Sequence, residues 1–120
     1  MTDKKYIWHR LLEVENIPVM ENELREVKAG SKKICVTRWQ GKLYAFTHRC
    51  PHAGGFLVQG HIDTNGNIVC PVHRYKYNVT NGYNSSGEGY YLSTYPVEER
   101  EDGIYAGFVQ SSGWLGLFKK

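Results

Sequence analysis

Two short segments carry the residues best able to do chemistry: Cys50-Pro51-His52 and Cys70-Pro71-Val72-His73, with seventeen residues between His52 and Cys70. Each segment puts a thiol and an imidazole on one tight turn. Two such turns facing each other offer two sulfur and two nitrogen donors, a set that suits an iron–sulfur centre or zinc. Pro51 and Pro71 fix φ directly after each cysteine and remove an N–H that would otherwise need a partner. Gly54-Gly55 lets the backbone curl close to a metal. One C-x-H is easily found by chance; two pairs, each with Cys-Pro and both in one loop-rich region, are not.

The elements that must position these turns read mainly as strands. Lys33–Trp39 and Leu43–Phe46 are β-rich runs joined by Gln40-Gly41, a tight-turn pair in which Gly accepts positive φ. Ser93–Glu98 and Ile104–Val109 flank Asp102-Gly103, a second hairpin signal. Pro96 marks its strand as an edge or a start. Tyr6–Leu12 and Glu23–Lys28 are weaker strand candidates, and Gly30-Ser31 is a turn. Residues 47–91 hold only short apolar runs, such as Asn67-Ile68-Val69, among Gly, Asn, Pro and His. A loop region this long within a domain is functional or disordered, and both ligand segments lie in it.

Composition bounds the rest. The chain has 120 residues, 22% charged and 41% hydrophobic, as one globular domain would. Thirteen glycines and nine tyrosines favour a turn-rich, strand-rich chain. The net charge of +3 is mild, and no basic stripe with interleaved aromatics suggests nucleic-acid binding. No apolar run is long enough for a membrane span, and the N-terminus has no apolar h-region. A cytoplasmic location is therefore expected, where an odd set of three cysteines serves as ligands or thiols rather than disulfides.

The pattern C-P-H-A-G-G, then C-P-V-H, resembles the two cluster-binding loops of Rieske proteins. Tyr75–Gly82 is similar to the family's continuation after the second loop, and Tyr95-Pro96-Val97 with Asp102–Tyr105 to its closing hairpin. The resemblance runs from about residue 30 to 109. It implies an all-β, antiparallel β-sandwich occupying residues 1–120, with a small cluster-binding subdomain at about 47–82. It also implies one [2Fe–2S] cluster per chain. Cys50 and Cys70 would bind the inner iron, and His52 and His73 the outer iron near the surface. Two ferric ions, two sulfides and two thiolates sum to zero charge, so adding an electron is easier than at an all-thiolate site. Loss of the imidazole N–H protons at high pH would lower the potential.

Departures from the family sort its branches. Gly55 and Val72 occupy the loop positions where respiratory Rieske subunits carry an extra disulfide-forming cysteine. Arg74 stands where glycine is usual, and Tyr75 where high-potential members place a serine that bonds the cluster. Tyr77 matches the family's aromatic and is expected to point its O–H toward a cysteine sulfur. Asn84–Tyr91 lacks the usual proline. The resemblance is closest to soluble ferredoxins that carry single electrons from a flavin-type reductase to a terminal oxygenase. Such a chain is an electron-transfer component rather than a catalyst by itself, since an oxygenase needs a second, mononuclear iron on a large additional domain. The alternatives are the small Rieske-like subunit of an assimilatory nitrite reductase, or a structural zinc module.

Other residues have plainer expectations. Cys35, alternating with Ile34 and Val36, reads as a buried thiol. His48 reads as a solvated loop histidine, and His9 and His61 as bland. Arg49, Arg74 and Lys76 are expected to form a positive docking rim with few carboxylates near them. The apolar tail Trp114–Lys120 is expected to pack back on the sandwich.

Overall fold

In a computed structural model of the chain, residues 5–51, 54–85, 87 and 89–109 are described. The tail beyond residue 109, His52 and Ala53 lie outside them. The elements are β1 (Tyr6–Arg10), α1 (Leu12–Asn16), β2 (Leu24–Ala29), β3 (Lys32–Trp39), β4 (Lys42–Thr47), a 3-10 turn (Leu57–Gln59), β5 (His61–Ile62), β6 (Asn67–Val69), β7 (Lys76–Asn78), β8 (Thr94–Tyr95), β9 (Val97–Arg100) and β10 (Gly103–Val109). They form three antiparallel sheets ordered β1-β10-β9, β2-β3-β4-β8 and β5-β6-β7. No helix among the described residues is long and apolar enough to cross a membrane.

The second sheet is covered on both faces. Ile34, Val36, Leu43 and Ala45 belong to one core with Leu11, Val14 and Ala106. Cys35 and Phe46 belong to another with Leu57, Ile68, Tyr77 and Leu92. Four successive β3 residues, Ile34 to Thr37, are therefore buried instead of alternating with exposed ones. The second core fastens the third sheet and its loops to the sandwich. Fully burying Phe46, Leu57, Ile68 and Leu92 contributes roughly 1.5–3 kcal/mol each.

The β3–β4 turn follows the expectation. Gln40 and Gly41 have φ of 51° and 82°, the paired positive values of a hairpin turn matched to strand twist. The Glu21 carboxylate accepts hydrogen bonds from both of their N–H groups. In the second hairpin Gly103 pairs with Arg100, so the two-residue loop is Glu101-Asp102 and Gly103 already belongs to β10.

Three expectations need correction. The run Ser93–Glu98 is not one strand. Pro96, which has no N–H for a ladder, divides it into β8 on the second sheet and β9 on the first. Leu12 opens a short helix instead of ending β1, with Leu11 and Val14 buried as its anchor. Residues 47–91 are not simply a loop region, because they contain the third sheet, whose strands are only two or three residues long.

Candidate metal centre

Each ligand segment is the tip of a hairpin, and both tips close in the same way. The Cys50 N–H donates to the Gly55 carbonyl at 2.8 Å, and the Cys70 N–H donates to the Tyr75 carbonyl at 2.8 Å. In each case the acceptor lies five residues after the cysteine. Behind the first tip, Arg49 bridges Phe56 and the Leu57 N–H donates to the His48 carbonyl at 2.9 Å. Behind the second, Val69 pairs with Lys76 along β6 and β7.

The tips bring Cys50 and Cys70 together. Both side chains are buried, and their sulfurs are in hydrogen-bond contact. Burial pushes the Cys70 thiol up to about 11; contact with Cys50 adds to the rise and the Val72 N–H opposes it. Two adjacent buried thiolates are strongly unfavourable without a cation, so this pair fits a metal centre far better than it fits ionised sulfurs alone. The Val72 N–H donates to Cys70 Sγ at 3.4 Å. Tyr77 Oη lies 3.2 Å from Cys50 Sγ. Burial, then the contact with Cys50, raises the Tyr77 phenol and keeps it protonated. Once Cys50 is a thiolate, the phenol can only be the donor.

Gly55 explains how closely the tips approach. A Cβ there would stand 2.8 Å from Val72 Cγ2 and 3.4 Å from Cys70 Sγ. Gly54 takes φ of 71° and donates its N–H to the Cys50 carbonyl at 3.0 Å, tightening the first turn.

His73 is exposed on the second tip, its ring centroid 6.4 Å from that of Tyr75, which in turn lies 6.1 Å from that of Tyr90. His73 and Arg74 both adopt left-handed backbone, with φ of 63° and 58°. That conformation costs a non-glycine residue roughly 1–2 kcal/mol. Among the described residues no group of three or more His, Cys, Asp or Glu side chains is arranged to hold a metal. The sulfur pair is in place, His73 faces solvent, and His52 is outside the described residues.

The remaining side chains sort as follows. Cys35 is fully buried on β3, and burial pushes its thiol up to about 12, so it stays protonated. None of the three cysteines forms a disulfide. His48 departs from the solvated expectation: it is half-buried and stacked on Phe56, with ring centroids 6.1 Å apart. His9 packs on Phe108. The three rim cations are exposed but not equivalent. Lys76 pairs with Asp63 at 3.6 Å, so one of the few carboxylates expected near the rim is already engaged with it. Arg49 lies over the Phe56 ring, 4.8 Å from its centroid. Sequence reasoning missed Asp63, which directly follows β5; only the folding of the third sheet places it beside Lys76.

The sequence profile of the Rieske [2Fe-2S] domain matches residues 7–94, well over half of the chain. The chain belongs to the Rieske family. Membership implies a [2Fe–2S] cluster, and the buried sulfur pair is compatible with that group. The Rieske chain is 32% identical over 85 residues to the nitrite reductase [NAD(P)H] of Emericella nidulans, covering 64% of this chain and 8% of that protein. It is 23% identical over 78 residues to the ferredoxin component of the alkene monooxygenase system of Xanthobacter autotrophicus, covering 65% of this chain and 64% of that one. The chain thus spans less than two thirds of the length of either relative. Its fold is similar to that of the ferredoxin of carbazole 1,9a-dioxygenase from Nocardioides aromaticivorans, with a TM-score of 0.68 at 17% identity over 88% of this chain and 99% of that one.

Proposed function

We propose that this Rieske chain is a one-electron carrier between a flavin-type reductase and a terminal oxygenase or related enzyme of the cytoplasm. The observation that carries the reading is the meeting of the Cys50 and Cys70 sulfurs in a buried pocket closed by two matching hairpin tips. The relative in an alkene monooxygenase system supports the choice of acceptor.

In this reading Cys50 and Cys70 hold one iron of a single [2Fe–2S] cluster, and His52 and His73 hold the other. When bound, the cluster accepts and releases one electron. The chain does the rest. Phe46, Leu57, Ile68 and Leu92 keep water from the sulfur side. Tyr77 Oη and the Val72 N–H donate to the sulfurs and stabilise added negative charge. His73, on the solvent side, marks the face through which the electron enters and leaves.

Purified anaerobically, the protein should be red-brown, contain two irons and two sulfides per chain, and bleach reversibly with one electron. A colourless protein with stoichiometric zinc would overturn the reading. The nitrite reductase relative supports a second one, in which the same carrier is a portion of a nitrite-reducing enzyme. Copurification with a large sirohaem-containing chain would favour it.

A further inference from the structure

The rim cations differ in what occupies them. Lys76 is held by Asp63 at 3.6 Å, and Arg49 lies on the ring of Phe56. Arg74 makes no ion pair among the described residues, although it is exposed and directly follows His73. It also keeps left-handed backbone, φ 58°, where a glycine would be relaxed. No hydrogen bond or ion pair of its side chain among the described residues offsets that strain, and strained residues of this kind gather at functional sites. Beside it, Val72 is 37% exposed, and Phe56 on the first tip 39%. An apolar spot flanked by cations matches a partner surface with an apolar centre and carboxylates at its edge.

We propose that Arg74 is the docking cation of this chain, presented by the second hairpin tip to a carboxylate on an acidic redox protein, with Arg49 as the weaker counterpart on the first tip. The proposal rests on the electron-carrier reading and adds the charge sign of the partner and the residue that selects it. Lys76 contributes little, because Asp63 already neutralises it.

The test uses the whole cluster-loaded chain and charged probes. Reduced protein is mixed in a stopped-flow instrument with ferricyanide or with tris(phenanthroline)cobalt(III). Each oxidant takes one electron from the protein and becomes ferrocyanide or the cobalt(II) complex. At low ionic strength, Arg74→Gln should slow the anionic oxidant on the order of threefold to fivefold, the scale of one exposed charge contact. It should not slow the cationic one, and the difference should fade as salt screens it. Poly-L-glutamate should slow the parent's reaction with ferricyanide and affect Arg74→Gln less. Lys76→Gln should behave as the parent. Arg74→Gly should lose the rate like Arg74→Gln but unfold at a higher temperature than Arg74→Gln, because the backbone strain is gone. Rates with ferricyanide that are the same in parent and Arg74→Gln would overturn the docking role alone. Failure of the parent to bleach and recover with one electron would overturn the carrier reading, and this proposal with it.

Discussion

The phenol oxygen of Tyr77 stands 3.2 Å from the sulfur of Cys50, and both side chains are sealed from solvent. A donor in that position stabilises the more negative state of the site more than the less negative one. Tyr77→Phe should therefore lower the midpoint potential while iron content stays normal. A differential of roughly 1 kcal/mol for one hydrogen bond corresponds to about 40 mV at 59 mV per tenfold for one electron. Protein-film voltammetry of parent and variant measures it; equal potentials would rule out the bond.

The parent's own potential should lie near the low end of the Rieske range, roughly −150 mV rather than +300 mV. Tyr77 Oη and the Val72 N–H reach the sulfurs of Cys50 and Cys70, and Val72 and Gly55 occupy the loop positions where, by the family resemblance, respiratory Rieske subunits carry a disulfide. A measured value well above zero would overturn this expectation.

Cys50→Ser and Cys70→Ser should each abolish the visible absorption. Cys35→Ala should keep it, because Cys35 is a protonated thiol in the core and supplies packing only. Iron-to-protein ratios decide: loss of iron in a folded Cys35→Ala chain would mean the ligand set is wrong.

Gly55→Ala should open the gap between the tips. Its Cβ would meet Val72 Cγ2 at 2.8 Å, and a β-branched side chain has little rotamer freedom to yield. Overpacking of this kind costs roughly 1–3 kcal/mol, read as faster loss of the cluster to a chelator. Adding Val72→Ala removes the blocking methyl and should restore most of the lifetime. Without that rescue, the collision with Val72 is not the cause.

Acid sensitivity should trace in part to Glu15. Hydrogen bonds from the Arg10 guanidinium, then from the Ile104 N–H, hold its carboxyl below the ordinary 4.5. A carboxyl lowered in the folded state stabilises the fold fully above its unfolded pKa, and that contribution disappears as pH falls through the folded value. Glu15→Gln should be less stable than the parent at pH 7, and the gap should narrow as pH falls below the ordinary carboxyl value of 4.5. Urea midpoints from pH 7 to pH 3 report it; a constant gap would contradict the linkage.

The readable parts of the sequence were those with short-range rules. Gln40-Gly41 marked the β3–β4 hairpin because turn dihedrals are local, and the Cys-Pro pairs marked the two hairpin tips that bring the sulfurs together because their spacing is local. The third sheet was not readable, since strands of two or three residues are too short to show alternation and depend on packing against Phe46 and Leu57. The dual role of β3 was also hidden: burial on both faces erased the alternation that would have told Cys35 from Ile34 by face. The Lys76–Asp63 pair joins the connection between β5 and β6 to the first residue of β7, a relation that only the folded third sheet supplies.

The twin closures, Cys50 onto Gly55 and Cys70 onto Tyr75, have a kinetic consequence. They are hydrogen bonds between peptide groups and do not involve the sulfurs themselves. A cage whose shape is fixed by its own peptide groups has few atoms to move when the charge changes, so its reorganisation energy should be small. Self-exchange between oxidised and reduced copies should then be rapid, and its rate should depend on the collision far more than on any refitting of the loops.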